Sequence, residues 1–584
     1  MPSIGGPLWT CTLSTLICTN GNPLAAGQSF TKITVTGNVT AANGTHVTIP
    51  LTLSGGGAPT MNVTPTPSVT VTAPTCPLPA LGNESLLNST YVVALNGWED
   101  GVGPSQGVGA FAADGAGVVT NGELDSSNVA VGAPQSAPVL ETMSGCFQVG
   151  LDFHGVMIWN LNGGGAEAFT FVLSSDGTFG DIMEFDDQDP GTSPGMRASG
   201  DFNIEAGGPF TLASFSGPFG FEAKGYSPNG SNTDYLRERK IGRFDDSASG
   251  VVTNGAADAA IATGTGTQTN IDNQSFAGNF TAPDSLGRGT ATFTYPNFNN
   301  AGALTLHFAY YLNDGSDLVM VSTDTPDNIG HAMDHGFVTT QLNGPYGTGS
   351  LSGNAVFYMI GADLSANHSF TVAGVGQVAG DGLGGASVRL DEVSNGSVVA
   401  TGTSAISGGS FTVSPNGMGV LTIGSGGAAR KFSVAMYDKN FGNMLEGTAA
   451  SPGSNLIIGE FRAQTAPVSG FADGTFSGPY GIGTNRQASA NSTFEVGTVT
   501  TPTPQTNPPS FSGTIDRSSG NGCNTGCLSS NQAVSGTFSV DANGRITIAP
   551  TSGGGGPAVG WFRNKGNGFW IISDTSDVNA TILN

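Results

Sequence analysis

Four copies of one pattern constrain this chain more than any single motif does. They begin at "LNSTYVVALNGW" (87–98), "FSGPFGFEAKGY" (215–226), "LSGNAVFYMIGA" (351–362) and "FSGPYGIGTNRQ" (476–487). Further phrases recur inside the copies in the same order. "FAADGAGVVTNGELD" (111–125) matches "FDDSASGVVTNGAAD" (244–258) and, more loosely, "VAGDGLGGASVRLDE" (378–392). Later come "FTAPDSLGRGTATF" (280–293), "FTVSPNGMGVLTI" (411–423) and "FSVDANGRITIAP" (538–550), then "FVLSSDGTFGDIMEFDD" (171–187), "YYLNDGSDLVMVSTD" (310–324) and "WFRNKGNGFWIISD" (561–574). Copies close with "GDFNIE" (200–205), "GFVTTQ" (336–341) and "GEFRAQ" (459–464). Ordered self-similarity of this length means one supersecondary unit repeated.

Each phrase reads as a hairpin. Asp-Gly and Asn-Gly between alternating apolar positions supply the positive-φ residues that tight turns need. The phrases give roughly eight strands in ~125 residues, joined by short turns, which is an up-and-down antiparallel meander. The expected fold is all-β, with four tandem barrel-like units whose closure removes the sheet edges. A two-sheet sandwich of similar size is the alternative. "FSGPFG" marks the first strand of a unit, with Gly and Pro setting how the chain enters it. The expected boundaries are 84–207, 208–342, 343–466 and 467–584.

Composition supports this and narrows function. Gly makes up 91 of 584 residues and 10% are charged, while 38% are hydrophobic and interleaved with small polar residues. Disorder goes instead with low hydrophobicity and high net charge. The net charge of −25 comes from 43 acids against 18 bases. Nucleic acid is excluded as a partner and an anionic membrane surface is disfavoured, since both need a basic surface. The one basic cluster, "LRERKIGR" (236–243), is expected to decorate a hairpin edge. With so few bases, few carboxylates should be in salt bridges, so stability should change little from neutral pH to about pH 4. No apolar run of ~20 residues offers a transmembrane helix.

Six cysteines in a Gly-rich, charge-poor chain indicate an oxidising compartment. Cys523 and Cys527 bracket a loop too tight for a four-ligand zinc site and read as a small disulfide loop. Cys76 and Cys146 are the pair left by subtraction.

The front, 1–57, alternates on period two and resembles the Ig-like repeat domain of unknown function found in arrays on bacterial surface proteins. "WTC" (9–11), "LICT" (16–19), "PLAAGQS" (23–29) and "ITVTGNV" (33–39) carry the likeness. It implies cysteines on neighbouring strands, here Cys11 and Cys18. Only the latter part of such a domain is present, and the N-terminus lacks the features of a signal peptide. The expectation is a chain starting mid-domain, with its export signal lost upstream. Residues 58–83 form a Pro/Thr-rich linker, semi-rigid because Pro at that density favours extended geometry. The repeats themselves resemble a family of secreted proteins of acidobacteria and similar soil bacteria. "GPFTLASFSGPFGF" (208–221), "ADGAGVVTNGELD" (113–125) and "LVMVSTDTPDNIGHAMDHG" (318–336) carry that likeness, which implies location and fold but no activity.

Chemistry is sparse. "GPSQG" (103–107) and "GTSPG" (191–195) fit the G-x-S-x-G pattern, yet neither precedes a helix, which a nucleophile elbow requires. "HAMDH" (331–335) groups His331, Asp334 and His335, but on a loop, and the other copies lack it. Asp186, Asp187 and Asp189 sit on a Gly/Pro-turned loop that suits Ca²⁺, without an EF-hand pattern. Acids scattered through turns do not make a glycosidase pair. The tryptophans, Trp98, Trp159, Trp561 and Trp570, are expected in cores rather than on a sugar-stacking face. The expected protein is non-enzymatic and needs no cofactor. It is a secreted or cell-surface structural or adhesive repeat protein whose tandem units extend reach toward a surface or matrix component, such as a glycan. Its alternatives are an array of ligand-holding barrels and an extracellular hydrolase. Bulky inward residues would mean filled barrels, and small ones with convergent polar groups would mean pockets.

Overall fold

In a computed structural model of the chain, each repeat begins with a 3-10 turn: Glu84–Leu86, Leu212–Ser214, Thr348–Ser350 and Asp473–Thr475. The model describes residues 76–583 except 100–101, 163–164, 186–195, 231–233, 264–267, 301, 329, 365–369, 395–396, 447–454, 486–492, 504, 520–527, 553–556, 566 and 574–577. Before residue 76 it describes short pieces only. The turns have a local cause. Ser214, Ser350 and Thr475 accept the backbone N–H of Thr211, Gly347 and Ala472 at 3.1, 3.2 and 3.1 Å, while the Glu84 carboxylate accepts from Leu81 and Gly82. The next residue, Leu87, Phe215, Leu351 or Phe476, is buried in the core of its own unit.

Three units are closed eight-stranded antiparallel barrels in sequential order: Thr90–Glu99 through Met196–Ile204, Gly217–Pro228 through Met333–Thr340, and Gly478–Asn485 through Val578–Leu583. The third spans Ser352–Asp363 through Asn455–Ala463. It closes because Phe370–Asp381 also pairs with Gly385–Ser394, leaving Ser397–Ala400 as a branch. The meander and closure expected from the hairpin phrases are present.

Two details differ from the sequence reading. The Asn-Gly of "VVTNG" is not a hairpin turn. It lies inside Val118–Asn128 and Val251–Ala262 where the register shifts, and Asn254 has φ 51°. Positive-φ residues serve β-bulges as well as turns. Hairpins turn instead on Asp114, Asp284, Asp381 and Asp541, whose carboxylates accept N–H groups two and four residues on. Second, Ala58–Val63, inside the expected linker, pairs with Leu51–Gly55.

The barrels are filled. Trp159, Phe111, Phe169, Phe171 and Phe202 pack inside the first, and Phe219, Phe244, Phe276, Phe280 and Phe293 inside the second. The third holds Phe357, Phe411, Phe432 and Phe461, and the fourth Phe476, Tyr480, Phe538 and Phe562. Trp159 is thus a core residue as expected, whereas Trp561 packs between units, against Val356 and Val393.

The outer faces of the barrels pack on one another, and the chain of contacts closes. Val92, Ala94 and Val108 of the first unit meet Ala309, Tyr311 and Val319 of the second. Ile241 and Ala260 meet Ala435, Leu445 and Ile458 of the third. Val356, Tyr358 and Val375 meet Trp561, Phe569 and Ile571 of the fourth. Phe494 and Val496 return to Val172 and Met183 of the first. The four units form a ring rather than an extended array.

One aspartate per unit marks each junction. Asp125 accepts two bonds from Arg288, at 2.7 and 2.9 Å, and one from Tyr311. Asp391 accepts two from Arg545, at 2.9 and 2.7 Å, and one from Trp561. Asp258 instead bonds Ser433, and Asp516 bonds Thr170 and pairs with His154. Junction chemistry therefore alternates around the ring. That alternation explains why "FSGP(F/Y)G" occurs twice, in the second and fourth units only. Its last glycine, Gly220 or Gly481, faces the next unit; a Cβ there would lie 2.1 Å from the Tyr437 ring or 3.3 Å from Val172. Tyr437 is buried, so Gly220→Ala should destabilise the protein by about 1–3 kcal/mol in urea unfolding. Gly481→Ala, against a side chain that can turn, should change it by less than about 1 kcal/mol.

The basic cluster is a correction. Arg237, Arg239, Lys240 and Arg243 lie on the barrel strand Tyr235–Asp246 and are all buried. Lys240 points into the barrel, bonded to Glu238 and, at 2.5 Å, to Asp334. Arg237 and Arg239 lie over Tyr235 and Tyr226. The expectation of few salt bridges is corrected with it: among the described residues, Lys224, Lys240, Arg243, Arg288, Arg430, Arg462, Arg517 and Arg545 sit in partly or fully buried ion pairs, several of them with two carboxylates.

Candidate functional site

Where the four units meet, they leave a cavity of about 420 Å³. In the first three units the first and last strands, with their neighbour, turn outer faces to it. Cross-strand pairing sets the rows. Asp201 stands beside Ala94 and Asp181, Glu222 beside Phe337, and Glu460 between Tyr358 and Asn443. The fourth unit adds Arg563 and Phe569 from one hairpin.

The wall is rich in charge although only 10% of the chain's residues are charged. Glu460 pairs with Arg462, whose pKa is held up first by that carboxylate. Glu222 has Lys224 at 3.6 Å, yet burial still raises its pKa. Burial pushes Asp201 up to about 6 against the pull of Lys224. Asp181, across the ladder from it, is raised well above the usual range by burial and by Asp201. Burial and then Asp314 push Asp317 up to about 6. Arg563 is lowered by burial and by Arg462. His335, outward on its strand and buried, is pushed down to about 3 by burial and Lys224, and is neutral.

A pH prediction follows that replaces the expected insensitivity. Asp201 and Asp317 near 6, and Glu205 and Asp246 near 7, hold protons that the unfolded chain releases near pH 4. His154 is raised because Asp516 outweighs the burial penalty, and has the same sign. Raised groups contribute stability that is complete below the unfolded pKa and lost as pH rises through the folded one. The melting temperature should therefore rise as pH falls from about 8 to 5. A flat or falling profile in a melting series would contradict it. His335, pushed down to about 3, opposes the trend below about pH 6.5 but is one group against five, and Asp516, lowered by His154 against burial, brings loss only at lower pH.

The structure separates the residues that the sequence groups. His331 pairs with Asp327 at 2.7 Å, Asp334 points into the barrel, and His335 points out, since Met333–Thr340 is a strand rather than a loop. Ser105 lies within strand Gly103–Ala113 and not at a strand-to-helix turn. Asp186, Asp187 and Asp189 fall outside the described residues, as do Cys523 and Cys527. Cys11 bonds Cys18 across paired strands, and Cys76 bonds Cys146. Among the described residues, no three His, Cys, Asp or Glu side chains are placed to hold a metal ion. No helix among them is long and apolar enough to cross a membrane.

The cavity residues escaped the sequence reading because they come from all four units. A signal was present, however. "FEAKG" (221–225) and "GEFRA" (459–463) place charges at alternate strand positions in a chain that has few.

No family model matches the chain, and no curated protein does. Among solved structures, an intact transferrin-binding protein B with N and C lobes aligns at 10% identity and TM-score 0.15, covering 70% of this chain and 83% of that one. A double mutant of transferrin-binding protein B from Haemophilus parasuis aligns at 11% and 0.16, covering 70% and 82%. CghA aligns at 12% and 0.16, covering 67% and 95%. Scores this low carry nothing about function.

Proposed function

We propose that this chain is a non-enzymatic, secreted or cell-surface bacterial protein with a structural or adhesive role, in which four barrels form one rigid block. The observation that carries this reading is that, among the described residues, large apolar side chains pack the interior of every barrel. It weighs against an array of separate ligand-holding barrels. Disulfides at Cys11–Cys18 and Cys76–Cys146 support an oxidising location. The resemblance of the repeats to secreted proteins of soil bacteria supports the same address. Unlike a string of beads, the ring does not lengthen the molecule. Adhesion would therefore use the outer rim and the segment before residue 84.

Small-angle scattering joined to a pull-down tests the reading. A compact body of roughly 500 residues has a radius of gyration of about 23 Å, and a ring slightly more, whereas beads exceed it well. The labelled full chain should be retained by cell-envelope or polysaccharide material, with no turnover of ester, glycoside or peptide substrates. Turnover of any of them, or an extended scattering profile, would sink it.

A further inference from the structure

We propose that the cavity at the centre of the ring binds a small organic ammonium compound, a primary amine or diamine, held by Glu222 and Asp317 with aromatic side chains alongside its carbon chain. Several acceptor atoms in the cavity wall lack partners. Glu222 Oε2, Asp317 Oδ1, Asn313 Oδ1 and Asn443 Oδ1 line the cavity and have no hydrogen-bond partner, and all four are acceptors. Glu222 is 5% exposed and Asn443 1%. An asparagine can exchange its oxygen for its nitrogen, but a carboxylate cannot become a donor without a proton. Unmet acceptors at such burial are costly unless a donor arrives.

Charge narrows the donor to a cation. Four carboxylates, Asp201, Glu222, Asp317 and Glu460, line the cavity against two guanidinium groups, Arg462 and Arg563; Arg462 is paired with Glu460 and also pulls on Asp317, and Lys224 stands beside Glu222. A neutral polyol would donate hydrogen bonds but leave that imbalance. A metal ion would need several ligands at fixed short distances, and no such group of side chains exists among the described residues. An ammonium group needs only acceptors around it and brings three donors. Tyr358 and Phe569, with ring centroids 4.9 Å apart, give it an aromatic wall. The volume, about 420 Å³, falls in the range of small-molecule sites. The raised pKa values of Asp201 and Asp317 add a consequence. A bound cation favours their ionised forms, so binding releases protons and weakens in acid.

The test is titration calorimetry of the full chain with 1,4-diaminobutane at low ionic strength, with 1,4-butanediol as the uncharged probe. The expected result is saturable binding of the diamine and none of the diol. Affinity should drop about tenfold or more between pH 7.5 and 5 and in the Glu222→Gln/Asp317→Asn variant. These neutral replacements are nearly isosteric, and the melting temperature reports whether the variant folds. The diol comparison and the pH series use the unaltered protein and decide the matter even if it does not. No saturable heat with the diamine overturns the proposal. So does equal binding of the diol, affinity independent of pH, or unchanged affinity in the folded variant.

Discussion

Lys240→Met should cost the second barrel about 3–5 kcal/mol at neutral pH, the usual loss when one partner of a buried charge cluster is removed. Lys240 lies on the inward face of Tyr235–Asp246, bonded to Glu238 and Asp334, and all three side chains are at most 3% exposed. Burial alone would lower the Lys240 pKa; the two carboxylates outweigh it and hold it raised. Burial keeps the Glu238 pKa raised even with Lys240 present. Methionine fills similar space but leaves two carboxylates with no cation, so they must take up protons to stay buried. The loss should therefore shrink as pH falls toward about 5, and Glu238→Gln/Lys240→Met/Asp334→Asn should recover most of it. Urea unfolding at two pH values measures both. A loss below about 1 kcal/mol at pH 7.5 would mean that the cluster admits water.

Arg288→Met and Arg545→Met should each cost about 2–3 kcal/mol. That is less than the full penalty for a buried pair, because both arginines are partly exposed. Each substitution strips a two-pronged bond from a buried aspartate, leaving Asp125 with Tyr311 and Asp391 with the Trp561 and Gly402 N–H groups. The junctions are equivalent in the repeat, so the losses should agree within about 1 kcal/mol. Distant substitutions add within about 0.5 kcal/mol when independent. A larger departure in the double variant would show that opening one junction loosens the other. Unequal single losses would say that the matched geometry does not carry matched energies.

The repeat phrases made the strand count, the meander and the barrels legible, because alternating apolar residues and turn chemistry are local. Two kinds of information were not local. The Asn254-Gly255 pair demands a positive φ, but only its ladder partners decide whether that makes a turn or a bulge. The burial of 237–243 was hidden because a basic stretch on a strand looks solvated unless its partners inside the barrel and on the neighbouring unit are known. Asp125, Asp258, Asp391 and Asp516 recur in sequence, three of them within the aligned phrases. Their partners lie in the next unit, out of reach of any local pattern. The central cavity shares that origin, since Glu222, Glu460 and Arg563 meet only after the barrels have docked.

Alternation of junctions sets a parity rule. Each unit offers an aspartate to its successor and receives one from its predecessor, and the receiving side switches at every step between arginine with an aromatic residue and a hydroxyl group, joined by His154 where the fourth unit meets the first. A circuit with two alternating joints can close only on an even number of members. Loss or gain of one barrel would leave a guanidinium facing a surface built for a hydroxyl, as well as two apolar flanks open to water. Loss or gain of two would preserve the matching and change only the curvature. Directional contacts that fail to close grow into filaments. The paired grammar of this chain therefore guards against open-ended growth as well as setting its shape.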